Sequence, residues 1–334
     1  VIRRALARIG WSLVVVWAVT TLAFFVNVVL PSDPARMVAG PQARPKDVER
    51  IRMQLGLDRP IAVQYGSFLR RLVHVGPAHP EPKDAAHGTC AALGPLHLDL
   101  GRSYQQRRPV TTILAERLPR TLFLAACALF VQVLLGTALG TLAASRKGRW
   151  VDRLAVGTSL LGISAPTFVI GLLLQYVLAH RLRLLPLDGY GRTAGEHAIG
   201  VILPALTLGL YGAASYVRFV RDELIGIMKQ DFVRTARAKG VGPWGVLIRH
   251  GLRNALVPLS TLMGLDLGML LGGAIVTETL FRWPGLGALS VSAMLDRDGP
   301  VILGTVLVTS SAIVLSNLLV DASYAVLDPR VRRR

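Results

Sequence analysis

Acidic side chains are scarce in this 334-residue chain, with 20 Asp and Glu against 38 Lys and Arg. Cysteine is scarcer still: only Cys90 and Cys127 occur, the first in a polar stretch and the second in an apolar run. That pair offers neither a disulfide framework nor a thiolate metal site. No glycine is followed by lysine, so the G-x-x-x-x-G-K-[ST] phosphate cradle is absent and no nucleotide site of that kind belongs to this chain. There is no H-E-x-x-H, and Gly162-Ile163-Ser164-Ala165 falls short of G-x-S-x-G, so neither common hydrolase signature is present. His74, His79, His87 and His97 surround Cys90, but their spacing fits no compact ligand pattern. A solvated loop is the reading they support, and no catalytic, cofactor or metal residue is expected. No internal repeat occurs, and the two halves do not carry the matching broken spans of many secondary transporters.

Apolar length is abundant. The hydrophobic fraction is 52%, and uncharged runs of spanning length recur. Six spans are expected: Ile9–Leu30, Thr121–Ala144, Leu154–Leu178, Ile199–Phe219, Val257–Leu280 and Val301–Val326. The first follows Arg3, Arg4 and Arg8 like a signal peptide, but it lacks a small-residue cleavage site before Pro31 and reads as a retained span. The excess of basic residues suggests nucleic acid. Yet Lys and Arg cluster between the apolar runs and not on one soluble face, so that partner is rejected. The basic segments are residues 3–8, Arg146 to Arg153, the loop 231–258 and Arg330 to Arg334; their asymmetry places both termini in the cytoplasm.

The expected fold is therefore an all-α polytopic membrane protein. Residues 1–30 hold the N-terminus and first span, 31–120 a long external segment, and 121–334 a five-helix core. Within the external segment, Val48, Ile51 and Leu55 predict a short amphipathic helix near Lys46–Leu55, stopped by Gly56. Ile61, Tyr65, Phe68, Leu69 and Leu72 predict a second near Ile61–Val75. Gly76–Leu96, rich in Pro, His and Ala, reads as a loop insertion.

The loop 231–258, DFVRTARAKGVGPWGVLIRHGLRNALVP, reads as two short helices around a break at Gly242-Pro243. The first runs from Asp231, as N-cap, to Lys239, with Gly240 at C′. The second runs from Trp244 to about Asn254. In the fifth span, Gly264, Gly268 and Gly272 recur on one side, a spacing that lets helices approach closely, and Asp266 points the other way. A carboxylate facing lipid at mid-depth costs about 2.5–3.5 kcal/mol, so Asp266 is expected to face protein or a watery path. Asp266 also supports the alternative reading, an ion-coupled secondary transporter. Asp266 and Asp321 lie at different depths and do not form a hydrolytic dyad.

The order of residues in the loop resembles the cytoplasmic coupling loop, or EAA motif, of binding-protein-dependent ABC transporter permeases. The dipeptide/oligopeptide/nickel branch is the closest form. Arg234, Thr235, Ala236, Ala238, Lys239, Gly240, Arg249, His250, Leu252, Arg253, Asn254, Ala255 and Pro258 carry the likeness. PSDPAR at 31–36, LGLDRPIAVQY at 55–65, LGISAPTFVIGLLL at 161–174 and GGAIVTETLFRWPGLG at 272–287 extend it over most of the chain except the insertion. The resemblance implies a channel-forming subunit without enzymatic activity of its own. Its implied partners are a homologous second permease subunit, two ATPase subunits that hold ATP and Mg, an extracytoplasmic solute-binding protein, membrane lipid and a peptide-like substrate. The residues it implies for ATPase coupling are Arg234, Thr235, Ala236, Arg237, Ala238, Lys239, Gly240, Arg249, His250, Arg253 and Asn254. The branch usually carries an uncharged polar residue where Asp266 stands, so no family role transfers to it.

Overall fold

Leucine, alanine and valine dominate the long runs, and in hydrocarbon only a helix satisfies every backbone N–H and C=O within one segment. The computed structural model describes residues 2–29, 34–40, 42–76 and 89–327. Pro31 to Asp33, His79, His87, most of the 76–96 insertion and the arginines from Arg330 onward lie outside the described residues. In chain order the elements are α1 (Ile2–Val29), α2 (Pro34–Ala39), α3 (Pro45–Gln54), α4 (Ile61–Leu72), β1 (Val73–Val75), β2 (Cys90–Leu93) and β3 (Leu96–Asp99). Then come α5 (Val110–Ser145), α6 (Trp150–Ser164), α7 (Thr167–Leu174) widening into a π-type helix over Gln175–Arg181, α8 (Ala194–Gly200) and α9 (Ile202–Ile227). The chain continues as α10 (Asp231–Ala238), α11 (Pro243–Gly245), a π-type helix over Val246–Leu252, α12 (Arg253–Gly273), α13 (Ile275–Leu280), α14 (Leu286–Leu295) and α15 (Gly299–Leu327).

Among the described residues, the fold is all-α but for one small sheet. Five helical stretches among the described residues are long and apolar enough to cross a membrane: Ala7–Val28, Val110–Ser145, Ala194–Ile227, Pro243–Gly272 and Gly299–Val320. A sixth crossing is possible by length if α6 and the Thr167–Arg181 helix are taken together, but that pair is bent by 105°. The sequence places a kink at Pro166 in the third span, Leu154–Leu178; the structure makes it a sharp break. Proline clashes with a helical residue before it, and Ala165 accordingly leaves the helix at φ −80°, ψ 129°. Pro166 itself, at ψ 138°, opens the next segment. Large apolar side chains stand exposed along the spans, among them Trp11, Leu22, Phe130, Leu161 and Met269, as a lipid-facing surface requires.

Other boundaries also move. The second spanning helix starts at Val110 and carries Pro119 inside it. α4 stops at Leu72, and residues 73–75 are a strand instead of more helix. The described end of the insertion, read as loop, supplies β2 and the start of β3. The sheet is antiparallel with order β1-β3-β2, and its register sets His74 opposite His97 and Cys90 opposite Asp99.

The chain divides into two units. One comprises residues 3–120 and 285–312. In it Phe24, Phe68 and Leu303 form a buried cluster, with Phe24 and Phe68 stacked at 5.2 Å and the Tyr65 hydroxyl 2.7 Å from Thr21 Oγ1. A second cluster joins Leu100, Val110, Ile113 and Leu114 to Leu286, Leu289, Ala293 and Val301. Buried Asp298 accepts from Ser103 Oγ at 2.5 Å, Tyr104 N at 3.1 Å and Gln105 N at 3.3 Å, fixing the turn that leads into α5.

The other unit comprises residues 121–284 with the chain from 313 on. Its largest core joins Tyr216, Val220, Leu224 and Ile227 of α9 to Val233, Ala236, Val246, Leu247, Ala255 and Leu259. The loop 231–258 is therefore part of that core and not a solvated appendage.

Candidate functional site

Two buried residues three apart, Val233 and Ala236, give α10 an inner side packed on α9. Its N-cap is Gln230, with no side-chain cap bond, so Asp231 is the first helical residue and not the cap. There its charge favours the positive end of the helix, and it meets Arg234 at 3.5 Å, one turn on. The helix ends in a Schellman motif. Val241 N donates to Ala236 O at 3.2 Å and Gly240 N to Arg237 O at 2.9 Å. Val241 and Ala236 share the same apolar cluster, the contact that accompanies this motif. The closure requires Gly240 at φ +81°.

After the break, Pro243 opens a helix that never stops before the span. Residues Pro243–Gly272 form one stretch, widened to π-type turns at Val246–Leu252. The separate second helix expected to end near Asn254 is thus the root of the fifth span. Asn254 Nδ2 donates to His250 O at 2.6 Å within it. Movement of this segment moves the span directly.

Among the residues singled out from the sequence, Arg234, Thr235, Arg237, Ala238, Lys239, Gly240, Arg249, Arg253 and Asn254 are exposed, and His250 is half-buried. Ala236 is buried and serves the core. Between the exposed cations stand three exposed apolar side chains, Phe232, Trp244 and Ile248. Sequence reading passed over these three, although a Phe and a Trp within a basic loop were the available signal. Aromatic anchors among basic groups suit a protein surface that offers a pocket and acidic neighbours.

Gly240 is the sharpest test of the loop. A Cβ built there meets nothing within 4 Å, so substitution costs backbone strain and no clash. A left-handed L-residue costs about 1–2 kcal/mol, most for β-branched side chains and least for Asn. Under the coupling role that the resemblance implies, Gly240→Val should cut uptake roughly five- to thirtyfold while ATP hydrolysis by the assembled complex persists, and Gly240→Asn should transport nearly normally. Equal transport by the two variants would show that the left-handed turn is dispensable.

In the same unit, Asp266 of α12 accepts from Gln132 Nε2 of α5 at 3.0 Å, and the buried Tyr216 hydroxyl of α9 lies near this carboxylate without making a hydrogen bond. The carboxylate is half-buried. Gln132, a lone amide in an apolar run, was not singled out from the sequence, though an intramembrane polar residue warrants it. On the opposite side of α12, a Cβ at Gly264 would stand 1.9 Å from Val320 Cγ2, and one at Gly268 would stand 3.6 Å from Ser316 Cβ. Those two glycines therefore pack on α15 of this same chain. Glu278, fully buried, accepts from Thr121 Oγ1 at 2.8 Å.

This loop and these spans are matched over residues 136–333 by the family described as binding-protein-dependent transport system inner membrane component. The N-terminal region of such components matches over residues 1–125. The chain belongs to this family. The permease is 40% identical over 332 residues to the glutathione transport system permease protein GsiC of Salmonella paratyphi A, covering 99% of this chain and 98% of that one. It is 40% identical over 314 residues to the Escherichia coli K12 protein of the same name, covering 94% of each. Among solved structures, the MetNI methionine ABC transporter in inward-facing conformations matches 64% of this chain and 97% of that chain at 18% identity, with a TM-score of 0.49. By its family and its relatives, the permease is a multi-pass inner-membrane subunit of an ABC importer, a transport component. Its family works with ATPase and permease partner subunits and a binding protein.

Proposed function

We propose that this permease forms, with a homologous second permease subunit, the membrane path of an importer for glutathione or short peptides. ATP and Mg are held by two separate ATPase subunits, which meet the exposed face of the loop 231–258. A solute-binding protein delivers cargo on the extracytoplasmic side, and both termini are cytoplasmic. The observation that carries this reading is the two-sided loop. Its inner side is fixed in the core with α9, its outer side exposes cations and aromatics, and its second half continues unbroken into a span. Such a rigid connection converts motion of a docked ATPase into tilt of α12. The full-length likeness to glutathione permeases supports the cargo class.

In this reading Asp266 faces the path, on the side of α12 away from the α15 packing, and favours the ammonium group of a peptide amino terminus. Proteoliposomes holding both permeases and both ATPases, supplied with the binding protein, should accumulate glutathione with ATP and no ion gradient. A gradient without ATP should drive none. Asp266→Asn keeps the shape and the Gln132 contact but removes the charge, at a cost of about 1.4 kcal/mol or more to a cationic group, roughly tenfold in uptake. Assembly and basal ATP hydrolysis should persist. Unchanged glutathione uptake by the variant would remove Asp266 from the path, and failure to assemble would make it a structural partner of Gln132.

A further inference from the structure

The small sheet gathers side chains whose sequence spacing gave no sign of a site. His74 on β1 lies directly opposite His97 on the central strand β3. Cys90 on β2 pairs with Asp99, two residues along β3 from His97 and hence on the same face. The ligand-bearing atoms of His74, Cys90 and His97 all lie within 4.8 Å of one another. Cys90 Sγ is 3.6 Å from His74 Nε2, and the two imidazole centroids are 5.4 Å apart. A zinc ion with bonds of about 2.3 Å to sulfur and about 2.0–2.1 Å to nitrogen holds its ligand atoms roughly 3.5 Å apart. The first pair already has that spacing, and the third ligand atom lies within 4.8 Å of both.

The surroundings are arranged as a ligand set requires. His74 Nδ1 lies 3.0 Å from Arg71 O, a carbonyl that can only accept. That bond places the proton on Nδ1 and turns the Nε2 lone pair toward Cys90. A second hydrogen bond of this kind orients metal-bound histidines and raises their basicity. His97 is fully buried, so its ring is held by packing. Asp99, the nearby carboxylate on that face, is otherwise engaged: it accepts from Gly101 N at 2.7 Å and pairs with Arg71 at 3.9 Å. The donor set is one thiol sulfur and two imidazole nitrogens.

We propose that His74, Cys90 and His97 bind one borderline transition-metal ion, Zn2+ foremost, with water as the fourth ligand. Two imidazoles and a thiolate suit Zn2+ and disfavour Mg2+ and Ca2+, which take oxygen. Binding deprotonates the Cys90 thiol, its proton passes to solvent, and the metal–sulfur bond forms in its place. The ion ties the two outer strands to the central one and acts as a resident staple of the sheet, independent of what the importer carries. It also removes Cys90 from oxidation.

The test uses the full-length permease in its assembled complex, stripped by chelator and kept reduced with a non-thiol phosphine. Zn2+ alone is then added, and bound metal is counted by mass spectrometry after gel filtration. Wild type should retain one zinc per permease chain. Cys90→Ser and His97→Gln should each weaken retention by about tenfold or more, while His180→Gln should not change it. In a second measurement on the wild type, Co2+ replaces Zn2+. A near-ultraviolet thiolate-to-cobalt charge-transfer band should appear, and it should be missing from Cys90→Ser. Wild type that retains no zinc, zinc retention indifferent to Cys90→Ser and His97→Gln, or a wild-type cobalt spectrum without the thiolate band would each overturn the site. None of these readouts depends on transport, so failure here leaves the import reading untouched.

Discussion

Gly136→Ala is expected to abolish assembly of the permease, although alanine is the better helix former by about 1 kcal/mol. A Cβ at Gly136 would stand 2.2 Å from Tyr216 Cβ and 3.3 Å from its backbone carbonyl carbon. One turn on, a Cβ at Gly140 would stand 2.8 Å from Val217 O. The partner helix returns the arrangement: a Cβ at Gly209 would meet Val131 Cγ1 at 2.5 Å, and one at Gly212 would meet Gln132 Oε1 at 1.9 Å. α5 and α9 therefore touch backbone to backbone along a seam of four glycines. In lipid no solvent-driven hydrophobic gain holds such helices, so close packing carries the association. The obstacle at Gly136 is a Cβ and main chain, which no rotamer can move aside, so the helices must separate along their length. Overpacking of this kind costs about 3 kcal/mol or more where relaxation is blocked. The seam also sets Gln132 and Tyr216 beside Asp266, so a separated pair loses that contact too. Gly157 lies in an apolar helix but has nothing within 4 Å of its would-be Cβ, and Gly157→Ala should be neutral. Monodisperse yield and melting temperature of the purified complex measure both. Wild-type values for Gly136→Ala would mean that α5 and α9 are not in contact at this seam.

The spans and the loop were legible because each rests on local pattern. Runs of leucine and valine report burial or lipid without knowledge of the partner, and Gly240 announces a left-handed turn by its place after α10. Sequence pattern failed where the answer depended on strand register or on a neighbour far along the chain. The insertion looked like loop because β2 is four residues long and its pairing with β3 is not written in composition. Once paired, it brings a histidine 23 positions before His97, and a cysteine between them, onto one face, a contact that no ligand spacing rule describes. The break at Pro166 was visible as a kink, but its size follows from two successive residues, Ala165 and Pro166, both leaving helical ψ. The loop helix ending near Asn254 failed for a different reason. Nothing between Asn254 and the span breaks a helix, since Pro258 is tolerated where widened turns precede it.

A final contact, between Asp152 and Arg221, carries no signal in the sequence pattern. Asp152, at the start of α6, is buried and bonded to Arg221 of α9 through both oxygens, with Nε at 2.5 Å and the second guanidinium nitrogen at 2.9 Å. Gly148 N adds a third bond at 2.8 Å, across a tight turn with Gly148 at φ +78°. Arg221 also reaches exposed Asp222 at 2.6 Å. The planar fork of arginine matches a carboxylate, and here the carboxylate side chain is only 5% exposed. Breaking a fully buried pair costs about 3–5 kcal/mol; here Arg221 is 21% exposed and keeps Asp222 as a partner, so the loss is smaller, whereas replacing both charges by apolar groups of similar volume is often neutral. Asp152→Asn alone should therefore lower the melting temperature of the complex by several degrees and reduce its yield. Asp152→Leu combined with Arg221→Met should recover most of the loss. If the pair instead transmits force from the loop 231–258 through α9 to α6, the double variant will be stable but will transport poorly with ATP hydrolysis intact. Stability and uptake measured on the same preparations separate these outcomes. A single variant as stable as wild type would show that the ion pair holds nothing together.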